Sequence, residues 1–397
     1  MPGARISWRR LVQTTVATFR IPAQITFGVG AAETVGAEAK RLGGSRAFVV
    51  SDAGLKKAGI VDQVASWLSS QGVSVSLYTD VEAEPSIQSV DACLAAAREA
   101  QCDLVVGVGG GSSMDTAKAV AMLMGNEGKA QDYLGTNLVK RRGAPSILMP
   151  TTSGTGAEIT PNALFYVPSA RDKIAIVSPH IVPDVAIVDP LLTLSVPPPV
   201  TAATGVDALC HAVESFTSSK ASPLTDLYAL EAIRLIGPSL RTAVGNGDDL
   251  AAREVMARGS MYGGVSIANA GTNAVHALAY PLQGQHRITH GVANSLLLPY
   301  VLEYNALSNL PKFVQVAEAM GEPVAGLSMR DAAMRSAEAC RLLSEDVGIP
   351  KKMSEVGIKQ EHVDALVEGA MKVTRLLANN PRRIRAEDAK AIFERAL

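Results

Sequence analysis

Residues 102–118, CDLVVGVGGGSSMDTAK, decide the fold. LVVGV is an unbroken apolar run, the pattern of a strand covered on both faces. Three consecutive glycines, Gly109, Gly110 and Gly111, end it, and SSMDTAKAVAMLM (112–124) then has helical spacing. Glycine permits positive φ and close approach of the backbone to a ligand. The free N–H groups at the following helix start favour an anion, and Ser112 and Ser113 add hydroxyl donors. The loop is not G-x-G-x-x-G, because with Gly107 and Gly109 as the first two glycines the third position is Ser112. It also lacks the GK[ST] of a P-loop. It reads as a phosphate cradle of another kind, set against the plainer reading of a tight strand-to-helix turn.

The same alternation extends on both sides. RAFVVSD (46–52), VSVSLYTD (73–80), APSILMPTT (144–152) and VAIVDP (185–190) read as strands; VDQVASWLSSQG (61–72) and SVDACLAAAREAQ (89–101) read as helices. Strands alternating with helices predict βαβ units and a parallel sheet. SVPPPV (195–200) closes this regime, and beyond it the patterns are long, helical and almost free of strand signal. The expectation is an α/β domain over 1–197 and an all-helical domain over 198–397.

Composition narrows the function. With 397 residues, 47% of them hydrophobic, the chain can bury two cores. A net charge of −1 and 4% aromatics leave neither a basic field nor stacking platforms for nucleic acid. No apolar run approaches the roughly 18 residues needed to span a bilayer. Cys93, Cys102, Cys210 and Cys340 form no CxxC pair and read as reduced, buried thiols of a cytoplasmic protein. The start, MPGARISWRRLVQTTVATFR, carries Arg5, Arg9, Arg10 and Arg20 without a long apolar core, so it reads as a poorly ordered extension rather than a secretory signal.

Two further loops suit a nucleotide. PTTSGTGAE (150–158) follows a strand and offers the hydroxyls of Thr151, Thr152, Ser153 and Thr155 beside Gly154 and Gly156. Asp52 sits at a strand's carboxyl end, where a carboxylate can accept from both ribose hydroxyls and repel a 2′-phosphate, favouring NAD over NADP. Alone, either feature is more often an ordinary surface loop or turn.

GVDALCHAVESF (205–216) places Asp207 and His211 one helical turn apart, on one face of a stretch whose composition is that of a buried helix. Cys210 points to a different face and is not counted as a ligand. Three of the six histidines lie in NAVHALAYPLQGQHRITHGVAN (273–294). His276 falls in a helical pattern that Pro281 and Gly284 are expected to interrupt, with a second helix beginning near His290. Two helices so joined can aim His276 and His290 into one cleft with Asp207 and His211. One carboxylate and three imidazoles accept Fe2+ or Zn2+ and leave a centre of net charge +1 that polarises a carbonyl.

GGGSSMDTAK, PTTSGTGAE, TGVDALCHAVESF, the HALAYP and HGVAN pair, and RLLANNPR (375–382) together resemble the iron-containing (group III) alcohol dehydrogenase family, from about Phe19 to the C-terminus. The resemblance implies a dehydroquinate synthase-like fold: an α/β nucleotide-binding domain, an all-α domain, and an active site between them. It implies Asp207, His211, His276 and His290 as metal ligands. It implies Gly109, Gly110, Gly111, Ser112 and Asp115 as the pyrophosphate loop, Thr151, Thr152 and Thr155 as a second nucleotide loop, Asp52 at the adenine ribose, and Lys173 as a cleft lysine near the nucleotide. The activity implied is reversible hydride transfer between a primary alcohol and NAD in a homodimer or higher homo-oligomer, with iron as the metal and zinc as the alternative. The chain departs from the family pattern at Tyr280, where many members have a histidine associated with proton relay, and at Gln283, Thr289 and Ala157. His286 and Arg287 add polar groups near the ligand loop, with His286 expected to contact substrate. Tyr280 and Arg287 motivate a second reading, a hydroxyacid–oxoacid transhydrogenase or a reductase of a small oxo acid or semialdehyde, since arginine binds carboxylates bidentately.

Overall fold

A computed structural model describes residues 16–170 and 172–397. Arg5, Arg9 and Arg10 of the N-terminal extension lie outside the described residues. The first half runs β1 (Gln24–Phe27), α1 (Val35–Arg41), β2 (Arg46–Val50), α2 (Ala53–Lys57), α3 (Ile60–Ser70), β3 (Ser74–Tyr78), α4 (Ile87–Glu99), β4 (Leu104–Gly109), α5 (Gly111–Leu123), β5 (Gly135–Thr136), β6 (Ser146–Pro150), β7 (Asn162–Val167), β8 (Asp172–Val177) and β9 (Val185–Val188). Six of these strands form one parallel sheet in the order β1-β9-β6-β4-β2-β3. β4, β6 and β9 are buried along their whole length, which accounts for their continuous apolar sequence.

The order across the sheet determines where a ligand can sit. From β2 the chain moves outward to β3, then crosses back to β4 and continues to β6. β2 and β4 are therefore neighbours at the point where the winding reverses, and the crevice beyond their carboxyl ends is the natural ligand position of such a sheet. Ser51 and Asp52 follow β2 there, Gly110 to Ser112 follow β4, and Thr151 to Thr155 follow β6. Gly107 sets how closely α5 approaches: a Cβ on it would lie 2.6 Å from Leu148 Cδ2 and 2.7 Å from Ala117 Cβ.

Sequence patterning did not reveal the second sheet, in which β7 and β8 pair antiparallel and β5 joins β8 in parallel. The signal was present in NALFYV, whose Ala163, Phe165 and Val167 are buried in alternation. Lys118 ties the connecting loop to α5. Its side chain is buried, and Nζ donates to Ala157 O at 2.9 Å and to the Asn162 carbonyl while standing 3.1 Å from Asp115 Oδ1.

Glu158 on this loop is 2% exposed, and burial pushes its carboxyl from the ordinary 4.5 up to about 7, against the pull of Lys118. An acid raised in the folded state contributes stability that is full below about pH 4.5 and is lost as pH rises to about 7. Glu158→Gln keeps the neutral shape at every pH. The variant should gain stability over the wild type on the order of a few kcal/mol at pH 8 and nothing near pH 4. Thermal melts of both proteins across that range check this, and parallel profiles would refute it.

The second half contains α6 (Pro198–Thr217), α7 (Pro223–Gly245), α8 (Leu250–Ala270), α9 (Ala274–His286), α10 (His290–Ala306), α11 (Leu310–Ala319), α12 (Met329–Asp346), α13 (Val363–Lys372), α14 (Thr374–Leu377) and α15 (Ala386–Ala396). Pro197 stands just outside α6 and Pro198 opens it, where a missing N–H costs nothing. From Gly205 to Thr217 every residue of α6 is buried, so the helix forms the centre of this half.

One expectation is corrected here. Pro281 and Gly284 do not interrupt the helix that carries His276; α9 runs through both to His286 and ends at Arg287, whose φ is 59°. A proline inside a helix forfeits one backbone bond, and Pro281 is fully surrounded by packed neighbours that keep the helix intact. α10 begins three residues later at His290. The close approach of α10 to α6 requires Gly291, because a Cβ there would lie 2.2 Å from Ala203 O.

Candidate metal and nucleotide site

α6 carries Asp207 and His211, α9 carries His276 in its first turn, and α10 opens with His290. One donor atom from each of these four residues lies within 4.8 Å of all the others. Asp207 Oδ1 is 3.8, 3.7 and 3.5 Å from Nε2 of His211, His276 and His290, and the Nε2 atoms of His211 and His276 are 3.0 Å apart. Donors about 2.1 Å from a tetrahedral ion stand ~3.4 Å from one another, so the spacing fits one divalent cation.

The opposite nitrogen of each ring faces an acceptor. Nδ1 of His211 lies 3.3 Å from Gly154 O, that of His276 meets Glu214 Oε2, and that of His290 is 2.9 Å from Gln283 Oε1. Acceptors at Nδ1 place the ring proton there and leave the Nε2 lone pairs facing Asp207. Asn294 Nδ2 donates to Asp207 Oδ1 at 2.8 Å, while Asn294 Oδ1 is buried without a partner. The cluster thus presents more acceptors than the surrounding protein satisfies, as a cation site should.

Electrostatics agree with the geometry. Burial opposes ionisation of Asp207, yet His211, His290, His276 and the Asn294 hydrogen bond hold its carboxyl down at about 2. Burial lowers His211 and drives His290 down to about 3. Burial would lower His276 too, but the Glu214 carboxylate raises it.

Glu214 was missed by the sequence reading. It lies on α6, is 1% exposed, and its Oε1 accepts from the backbone N–H groups of Asn273 at 3.0 Å and Val275 at 2.7 Å while Oε2 meets His276. A charged residue in an otherwise apolar helix, three positions after His211, was the available signal. Cys210 Sγ lies 4.0 Å from Nδ1 of His276, on the side of the ring away from the cluster.

A cavity of about 340 Å³ separates this cluster from the parallel sheet. Gly111, Ser112, Asp115, Thr155 and Lys173 line one wall; His211, His276, His290 and Tyr280 line the other. Gly110 leaves open space, for a Cβ on it would find nothing nearer than Thr152 Oγ1 at 3.6 Å. Thr151 N donates to Gly109 O at 3.0 Å, which holds the two loops side by side, and Ser112 Oγ donates to Ala83 O at 2.6 Å. Asp115 Oδ2 accepts from Leu164 N at 2.9 Å, fixing β7 against α5. Asp52 caps α2, its Oδ1 accepting from Gly54 N at 2.9 Å and Leu55 N at 3.0 Å, with Oδ2 outside those bonds. Lys173 is 11% exposed and pairs with Glu84, which places it in the cleft wall and not on the open surface. Tyr280 is partly buried, and burial pushes its phenol up to about 12 against the pull of Arg375, so it stays a hydrogen-bond donor at neutral pH.

Two expectations fail. His286 does not reach the cavity; its ring packs against His362 with centroids 4.6 Å apart. Because α9 is continuous, ten residues separate His276 from His286 by about 15 Å along the axis. Arg287, just past the helix end, lies 4.3 Å over the ring of Tyr166, which lines the cavity, but does not line the cavity itself.

Comparisons with known proteins agree with this architecture. The description "Iron-containing alcohol dehydrogenase" matches residues 22–190, and "Fe-containing alcohol dehydrogenase family, C-terminal" matches residues 201–397. The chain is 44% identical to long-chain-alcohol dehydrogenase 1 of Geobacillus thermodenitrificans, covering 96% of this chain and 97% of the relative. It is 37% identical to sulfoacetaldehyde reductase of Bilophila wadsworthia, covering 94% and 96%. A crystal structure of 1,3-propanediol oxidoreductase superposes with a TM-score of 0.94 at 39% identity, covering 96% of this chain and 100% of that one. A nucleotide-type sheet facing a histidine–aspartate cluster defines a class of two-domain proteins with a donor set suited to a divalent metal. Within it, the chain belongs to the iron-containing alcohol dehydrogenase family. No helix among the described residues is long and apolar enough to cross a membrane.

Proposed function

We propose that this protein transfers a hydride reversibly between a primary alcohol and NAD, with an iron ion held by Asp207, His211, His276 and His290. The convergence of those four donors on a cleft wall opposite the Gly109–Ser112 loop carries the reading. The ion supplies Lewis-acid polarisation of the substrate oxygen when bound, and NAD takes or gives the hydride.

This chain's own residues do the rest. Asp207 contributes the single negative charge of the ligand set, so a divalent ion keeps net positive charge toward substrate. The N-terminus of α5 at Gly110 and Gly111 receives the pyrophosphate. Thr152 and Thr155 face the same crevice, Asp52 Oδ2 accepts from the adenine ribose, and Lys173 stands near the nucleotide. Residues 1–197 thereby carry the cofactor and 198–397 the metal. Tyr280 donates a hydrogen bond toward substrate. Oxidation moves a hydride from the alcohol carbon to NAD+ and releases one proton, giving aldehyde and NADH.

The test follows NADH absorbance with protein loaded anaerobically with Fe2+ and offered a panel of short and long primary alcohols, beside a chelator-treated control. Iron-dependent NADH formation is expected. No turnover of any alcohol, or of the matching aldehydes with NADH, despite one iron per chain would overturn the proposal.

A further inference from the structure

Three contacts converge on residues 83–85, the segment that precedes α4. Ser112 Oγ of the glycine loop donates to Ala83 O at 2.6 Å, Lys173 of β8 pairs with Glu84, and Tyr166 N of β7 donates to Pro85 O at 3.0 Å. Tyr166 and Lys173 are direct cross-strand partners. The β7–β8 hairpin is thereby anchored to the nucleotide half, beside the loop at the start of α5. From that anchored position the Tyr166 side chain lines the cavity and also an outer groove, and Arg287 lines the groove.

The helical half meets the same ring through Arg287, whose guanidinium carbon lies 4.3 Å from the ring centroid. Arg287 belongs to the three-residue turn between α9 and α10, and that turn leads directly into His290. The turn is tied down: Arg287 N donates to Gln283 O at 3.1 Å and Ile288 N to Leu282 O at 3.3 Å, while Gln283 Oε1 stands 2.9 Å from His290 Nδ1. Arg287 has φ 59°, in the left-handed region where glycine fits at least cost. A glycine would suit that backbone, but only a long cationic side chain reaches the ring. Sequence reading gave Arg287 a carboxylate to bind; the structure gives it an aromatic face.

We infer that Arg287 and Tyr166 form a clasp across the cleft, so that Arg287 is a positioning residue that holds the His290 turn in register with the nucleotide loop. This rests on the hydride-transfer reading above and adds to it. The two halves each hold one reactant, and hydride transfer needs the reacting atoms about 3–3.5 Å apart. Register between the halves therefore enters the rate directly. Arg287 is exposed, and an exposed cation–π contact shifts a two-state population by about two- to fivefold. That strength bounds the effect: if only the clasped form reacts, losing either partner slows the reaction by about that factor and no more.

The test has two arms. The first follows amide hydrogen exchange in the metal-free chain without nucleotide, in peptides covering 162–167 and 287–293. Tyr166→Leu should speed exchange across the cleft in 287–293, and Arg287→Gly should speed it in 162–167, each by about two- to fivefold. Tyr166→Phe keeps the aromatic face and should leave 287–293 at the wild-type rate. Arg287→Gly should melt within about 3 °C of wild type, because glycine suits its backbone, so general destabilisation would not account for the faster exchange. The second arm uses iron-loaded enzyme with NAD+ and a primary alcohol. Arg287→Gln and Tyr166→Leu should each lower kcat about two- to fivefold, with iron content and NADH affinity unchanged, and the double variant should be no slower than the slower single one. Exchange that changes only in the mutated segment, or losses that multiply in the double variant, would overturn the clasp and leave hydride transfer intact. If no alcohol is turned over, the exchange arm alone decides the inference.

Discussion

His276→Ala should abolish iron retention and lower turnover by more than about a hundredfold, beyond the 10–100-fold typical of losing a group that only supports a ligand. His276 is 3% exposed and supplies the donor nearest to His211, at 3.0 Å. Its loss leaves two imidazoles and one carboxylate, and opens the cluster on the α9 side. The fold should survive, because Glu214 Oε1 keeps its bonds to Asn273 N and Val275 N at the start of α9. His286→Ala is the internal contrast. That ring lies against His362 and outside the cavity, so turnover and iron content should stay within about twofold of wild type. Iron per chain after dialysis, NADH turnover and circular dichroism check all three statements. An iron-replete His276→Ala enzyme would remove the ligand assignment.

How far the sequence could be read depends on the range of the signal. Local periodicity exposed the parallel strands, because LVVGV and SILMP are apolar without interruption and each leads into a glycine- or threonine-rich loop. Spacing of i and i+4 put Asp207 and His211 on one face before any tertiary contact was known. The β7–β8 hairpin escaped notice because a six-residue alternating strand is a weak signal beside continuous ones. Proline misled at α9: position 281 suggested a break, but burial among packed helices outweighs one absent backbone bond. The same misjudgement placed His286 and Arg287 too near the site.

Other features were illegible for a different reason. Glu214, Gln283 and Gly154 O each engage the far nitrogen of a histidine ring, and those partnerships join residues 62, 7 and 57 positions apart. No short pattern encodes such pairs. The sequence pointed to the four residues whose donor atoms the fold brings together; folding was needed to show which groups orient their rings.

Glu214→Gln tests that orienting layer. The carboxylate serves two masters: Oε1 accepts from two backbone N–H groups, and Oε2 accepts from His276 Nδ1. An amide of the same shape can satisfy only one. With its oxygen toward the backbone, it presents N–H to Nδ1, which forces the ring proton to Nε2 and removes the lone pair that faces Asp207. With its amide reversed, two backbone donors of a buried helix start meet an NH2 group, at a cost of about 1–3 kcal/mol. Either outcome should weaken iron binding 10–100-fold, although none of the four donors has been touched. Glu214→Ala should add a loss of stability, since Asn273 N and Val275 N then lose their acceptor and only Ala274 N keeps one, Asn273 Oδ1. Chelator competition for Fe2+ measures the first effect and denaturant melts the second. Wild-type iron affinity in Glu214→Gln would mean that the tautomer of His276 is set by the ion itself and that Glu214 serves only as the cap of α9.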